Sequence, residues 1–210
     1  MQNATPDSSA GSKGSGGRPP EFDREQVLHD AVFAFWNNGY KATTVGLLED
    51  ATGIDRSTLY KSFGGKDGLY ASAAGAYIAM ATEQLFSVLH DGDAGVADIL
   101  AFIDTLSASY RAGQPRGCYI VNDMGSVGET DATHRYLDIL RTGFRAALGR
   151  GVDAGEVRAD VVDQRAEMLT AAFVGINLTH RNMADAEVAH RLMDGVRAEV
   201  ADWLSDDRRS

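Results

Sequence analysis

The sequence predicts an all-α protein. Three observations carry that expectation. Apolar residues recur at helical spacing from residue 24 to residue 204, and no alternating strand pattern or hairpin turn interrupts them. A compact stretch, Thr43 to Phe63, reads as two short helices joined at Gly53. A late segment, about 162–183, is apolar around much of its circumference, so it needs cover on both sides.

The chain has 210 residues and 44% hydrophobic content, enough for a small domain joined to a larger one. The N-terminus has no apolar leader, and the longest apolar run near the C-terminus, Ala171 to Ile176, is too short to span a bilayer. No membrane partner is expected. The single cysteine, Cys118, excludes an internal disulfide and fits a reducing cytoplasm.

The net charge is −10, which argues against a broad polyanion-binding patch. Its distribution is uneven. All four lysines lie within the first 66 residues, and Asp55 to Lys66 holds three positive residues against one negative.

Taken in order, residues 1–17 are rich in Ser, Gly and Ala without periodicity, so disorder is expected there. Arg18 follows, held before two prolines. An arginine on an extended arm suits a narrow minor groove; a solvated linker residue is the alternative. A first helix is predicted over Arg24 to Asn38, with Asp23 and Gln26 as a capping box and Phe22 stapled to Val27. Val27, Leu28, Ala31, Phe35 and Trp36 form its apolar face and read as core.

Next, Thr44 caps a short helix whose Val45 and Leu48 face inward. Gly53 ends it in the left-handed conformation. Asp55 caps the following helix, where Leu59 and Phe63 make the buried side. Arg56, Ser57, Tyr60 and Lys61 fall on the opposite face, with Thr58 on its flank. A packed back and a cationic, hydrogen-bonding front suit the DNA major groove, where base edges display donors and acceptors.

A turn at Gly64 to Asp67 leads into a helix running to about His90, with Leu69, Ala73, Tyr77, Met80 and Leu85 inward. About Ala94 to Ala112 shows the cleanest period, closed by Gly113 and Pro115. Further helices are predicted at about 117–128, 131–149, 162–183 and 186–204, with a loop at 151–160. Tyr77, Phe102, Leu106, Cys118, Asn122, Tyr136 and Phe144 sit on inward-facing helix sides. They could line a pocket in which Asn122 and the tyrosines orient an apolar or aromatic ligand.

No catalytic constellation stands out. The five histidines are dispersed without metal-ligand spacing, so no metal site and no cofactor are expected. No phosphate loop or nucleophile elbow is present.

From Gly17 to Tyr70 the chain resembles the N-terminal domain of TetR-family transcriptional regulators. The matching residues are Asn38-Gly39-Tyr40, Thr43-Thr44-Val45, Ala51-Thr52-Gly53-Ile54, Ser57-Thr58-Leu59-Tyr60 with Phe63, and Lys66 before an apolar helix. The Gly117-Cys118 segment is similar to one branch of the same family, where it lies near an inducer pocket. Glu49 departs from the pattern, and a shifted or opened second helix is expected there.

The resemblance implies a disordered arm (1–20), a helix-turn-helix DNA-binding domain (21–66) and a ligand-binding, dimerisation domain (67–204). Arg56, Ser57 and Thr58 would then reach base edges. Arg18 would enter the minor groove. Thr43, Thr44, Tyr60, Lys61 and Lys66 would rest on phosphates. The implied protein is a homodimeric repressor released from a palindromic, double-stranded operator by a small-molecule effector. Two other readings stay open: a redox- or electrophile-responsive regulator acting through Cys118, whose position near a helix start favours a low thiol pKa, and a helical enzyme or carrier that binds no DNA.

Overall fold

The computed structural model describes residues 22–113, 116–127, 130–182 and 187–206. Among these the regular structure is helical throughout. Helix α1, Arg24–Asn38, begins where Asp23 accepts from the amides of Glu25 and Gln26 at 2.9 and 3.2 Å. Gln26 turns instead to Asp30, so only half of the capping box forms. Phe22 lies near the ring of Phe63, with centroids 6.1 Å apart.

Helices α2, Val45–Thr52, and α3, Arg56–Phe63, are the two short helices expected. Thr44 accepts from the amide of Leu47 at 3.2 Å, and Asp55 from that of Thr58 at 2.7 Å. Gly53 joins the helices at φ +69°, a conformation that side chains with a Cβ rarely adopt. Leu48, Ile54, Leu59 and Phe63 are buried against α1 and the next helix, α4, Lys66–Ala81. A Cβ at Gly68 would lie 1.6 Å from the Phe63 carbonyl oxygen. Only glycine lets α4 start this close to the end of α3, and this sets the angle between them.

Glu49 does not open α2. The helix is unbroken, and the Glu49 carboxylate accepts from the backbone amide of Arg56 at 2.6 Å. The side chain thus satisfies an otherwise orphaned donor at the start of α3.

The long helix expected up to His90 is one helical path with a π-helical turn at Thr82–Phe86, continued by α5, Ser87–Asp91. The turn holds an extra residue and shifts the inward stripe. Phe86 and Leu89 are buried, Leu85 is only half-buried and Met80 is exposed.

Helices α6, Val96–Ala112, α7, Tyr119–Val127, and α8, Asp131–Asp153, follow. Helix α8 runs four residues past its expected end. Its last turn is held by the chain folding back, with the amides of Glu156 and Val157 both donating to the Gly151 carbonyl. After a short turn at Ala159–Val161 come α9, Val162–Asn182, and α10, Glu187–Asp206.

The two expected domains share one hydrophobic core, and α4 serves both. Leu69 and Tyr70 pack beneath the N-terminal helices, while Tyr77 and Ile78 belong to the larger domain. The apolar circumference of α9 divides into two sides. Ala166, Leu169, Phe173 and Ile176 are buried, with Phe173 against Phe102 (4.9 Å) and Phe144 (5.5 Å). Met168 and Leu178 stay 44% and 40% exposed, as does Leu192 of α10 at 45%. No helix among the described residues is long and apolar enough to cross a membrane.

Candidate nucleic-acid interface and ligand cavity

The front of α3 presents Arg56, Ser57, Tyr60 and Lys61 to solvent, with Thr58 half-buried beside them. The Arg56 guanidinium lies 5.8 Å from the Tyr60 ring centroid, and the Tyr60 ring covers Gly65. Lys66 sits 4.3 Å over the ring of Tyr40, whose hydroxyl donates to Asp67. That bond and partial burial push the Tyr40 phenol up to about 12. Thr44 is exposed at the start of α2 while capping it.

Thr43 does not belong to this surface. It is fully buried, and its hydroxyl donates to the Gly39 carbonyl at 2.8 Å, so it fixes the turn after α1 and offers nothing to a phosphate. Arg18 lies outside the described residues.

A cavity of about 440 Å³ opens in the larger domain. Tyr77, Phe102, Leu106, Cys118 and Tyr136 line it, as the periodicity implied. Two expected residues do not. Phe144 packs behind Phe102 and Phe173. Asn122 turns to the Arg116 carbonyl, donating at 2.6 Å.

The pattern also missed lining residues: Trp36, Tyr110, Asn177 and His180. Trp36 read as core. Asn177 and His180 fall four and seven residues after Phe173, on the buried side of an apolar helix, a polar interruption that could have marked them. His180 stacks on Tyr110 at 3.9 Å, and Tyr110 donates to Asn177.

Cys118 is 2% exposed at the start of α7, and Tyr77 donates to its sulfur at 3.4 Å. The low thiol pKa that the redox alternative needs is not found. Burial pushes the thiol up, and the hydroxyls of Tyr136 and Tyr77 offset that only in part. Arg116 gives the sulfur no help, since its guanidinium lies over Phe33, 5.7 Å from the ring centroid. Among the described residues, no group of three or more His, Cys, Asp or Glu could hold a metal ion.

Polar contacts around α7 join the cavity to the end of α1. Trp36 of α1 donates to the Arg116 carbonyl at 3.2 Å. Asp123 of α7 is buried and accepts from the amide of Tyr40 at 3.2 Å and the hydroxyl of Tyr70 at 3.4 Å. Arg181 of α9 donates to the Trp36 carbonyl at 3.1 Å. The last turn of α1 is therefore held from the cavity side.

Comparison with known proteins agrees with this geometry. The family described as "Bacterial regulatory proteins, tetR family" matches residues 27–73. The chain is 36% identical over 187 residues to the HTH-type transcriptional repressor ComR of Escherichia coli (strain K12), spanning 83% of this chain and 87% of that one. It is 26% identical over 150 residues to the HTH-type transcriptional repressor AcnR of Corynebacterium glutamicum, spanning 69% of this chain and 74% of AcnR. Its fold is similar to that of the TetR family transcriptional regulator CifR, solved as a cysteine mutant complexed with 26 bp double-strand operator DNA. The TM-score is 0.72 at 25% identity, over 90% of this chain and 99% of that one. With a helix-turn-helix exposing a cationic front and this likeness along most of its length, the chain belongs to the TetR family and is a DNA-binding transcriptional regulator, not an enzyme.

Proposed function

We propose that the chain is a cytoplasmic, homodimeric repressor that occupies a near-palindromic operator and leaves it when a small apolar or aromatic molecule fills the cavity. The observation that carries this reading is the segment leading into α7: Cys118, just before the helix, borders the cavity, and Asp123 within it holds the Tyr40 amide just after α1. A ligand that moves α7 would re-aim the N-terminal helices. Two states of differing operator affinity are enough for release by population shift.

Arg56, Ser57 and Thr58 read base edges; Thr44, Tyr60, Lys61 and Lys66 rest on phosphates. The arm bearing Arg18 reaches the minor groove. Dimerisation uses the exposed apolar side of α9 and α10, where Met168, Leu178 and Leu192 would otherwise face water. A two-fold dimer implies half-sites about 34–36 Å apart or a multiple of that.

The test is a mobility shift and footprint on the DNA upstream of the protein's own gene. The expected result is a symmetric footprint bound by two chains. A shift no stronger than on unrelated DNA of equal length would refute the reading.

A further inference from the structure

The cavity's chemistry narrows what can enter it, and this step rests on reading the cavity as an effector site. Among the described residues its lining holds no aspartate or glutamate to pair with a cation. The formally charged lining residue, Arg116, places its guanidinium over Phe33 of α1. Burial keeps the phenols of Tyr77, Tyr110 and Tyr136 protonated. His180 accepts from the Gly117 amide through Nδ1 at 3.3 Å, so the neutral ring carries its proton on Nε2. Burial, with His190 nearby, holds it below the ordinary histidine value. An ion entering this lining would lose its hydration without gaining a partner.

The polar groups are biased toward donors. Tyr77 donates its hydroxyl to the Cys118 sulfur at 3.4 Å, and Tyr136 lines the same cavity. One good donor is therefore spent on a weak acceptor, with a second phenol in the same lining. A ligand oxygen at that point would exchange a poor bond for a good one. Tyr110 differs, because Asn177 already gives it an amide oxygen. The walls favour flat molecules: His180 and Tyr110 are stacked with planes 7° apart, and Phe102 and Phe173 meet edge to face.

We propose that the cavity takes an uncharged aromatic or conjugated compound of at most roughly 25 non-hydrogen atoms, the number that would fill its volume at interior packing density, and that Tyr77 and Tyr136 hydrogen-bond its acceptor oxygen.

The test is calorimetry on the full chain with matched probes. Benzophenone is compared with diphenylmethane, and 2-acetylnaphthalene with 2-ethylnaphthalene. Diphenylacetate and the benzhydrylammonium cation supply the two charges. At least one ketone should bind ten or more times tighter than its hydrocarbon, and both ions should bind at least tenfold more weakly than that ketone. In Tyr77→Phe/Tyr136→Phe the ketone should fall to the hydrocarbon's affinity, while the hydrocarbon stays within threefold of its wild-type value. If that variant loses both probes through misfolding, Cys118→Ala decides. It frees the Tyr77 hydroxyl and should bind the ketone at wild-type affinity or tighter; a tenfold loss overturns the proposal.

Equal binding of ketone and hydrocarbon in both pairs, carboxylate binding that depends on Arg116, or no binding by any probe would each overturn it. Operator binding without probe is measured alongside. A protein that holds its operator but binds no probe leaves the regulator reading intact and removes this one. A ketone that binds as predicted without releasing operator supports the ligand class and removes the effector reading.

Discussion

Asp123→Asn tests the connection between cavity and reading helices. The Asp123 carboxylate is buried and accepts from the Tyr40 amide and the Tyr70 hydroxyl at 3.2 and 3.4 Å. An asparagine of the same size can still offer one oxygen to these donors, so the change removes charge more than shape. Hydrogen bonds to charged groups contribute about 1.5–3 kcal/mol and neutral ones about 0.5–1.5 kcal/mol, a difference of about 1 kcal/mol per bond. These two rather long bonds by themselves give about 1–2 kcal/mol for the substitution. In a chain of this size each kcal/mol moves Tm by about 2–4 °C, so Tm should fall by about 2–8 °C.

Operator affinity without ligand should stay within about threefold, because α2 and α3 pack through Leu48, Leu59 and Phe63, away from this bond. The ligand-driven loss of affinity should shrink by about tenfold, within the usual range of coupling free energies. Differential scanning fluorimetry reads the first quantity. Anisotropy of labelled operator, with and without an aromatic ketone that binds, reads the others. A variant with wild-type Tm and wild-type release would refute the role given to α7.

Four further outcomes follow from the same geometry. Thr43→Val should cost about 1 kcal/mol of stability through the lost buried hydrogen bond and leave the salt dependence of operator binding unchanged; a flatter slope would return Thr43 to the phosphate surface. Cys118 stays protonated as pH rises through the ordinary thiol value near 9.0, so iodoacetamide at pH 8 should label the folded protein far more slowly than the urea-unfolded chain. Peroxide should likewise release wild type and Cys118→Ser from operator to the same small extent, and release of wild type alone would restore the redox reading. Leu192→Glu, on the exposed apolar side of α10, should shift sedimentation at micromolar concentration from dimer toward monomer with helicity retained; an unchanged dimer would move the interface elsewhere.

Much of the fold was legible because helix ends carry local chemistry. Asp23, Thr44 and Asp55 mark starts, and Gly53 marks a stop, through interactions reaching no further than four residues. What escaped depends on distant partners. Gly149 and Gly151 look like helix breakers, yet α8 continues through them because Glu156 and Val157 fold back onto its last turn. The π-turn at Thr82–Phe86 shifts an otherwise regular apolar stripe by one residue.

The resemblance put Thr43 with Thr44 on the phosphate surface, and only the packing of the turn shows its hydroxyl spent on Gly39. Within the cavity, periodicity found the inward residues but could not say which border empty space. Phe144 and Phe102 share one stripe logic, yet one sits behind the other. Glu49 was visible as a departure, and its contact with the Arg56 amide explains why the helix tolerates it.

The central claim is that the front of α3 reads DNA, and a salt titration of operator binding tests it most directly. Wild type, Lys61→Ala and Arg56→Ala are compared on the operator and on unrelated duplex. Lys61→Ala should weaken both and flatten the slope of log affinity against log salt by about one unit, as a lost phosphate contact does. Arg56→Ala should cost about 1–3 kcal/mol on the operator with a much smaller loss on unrelated DNA, as a lost base contact does. Wild-type affinity and slope in both variants would contradict the account.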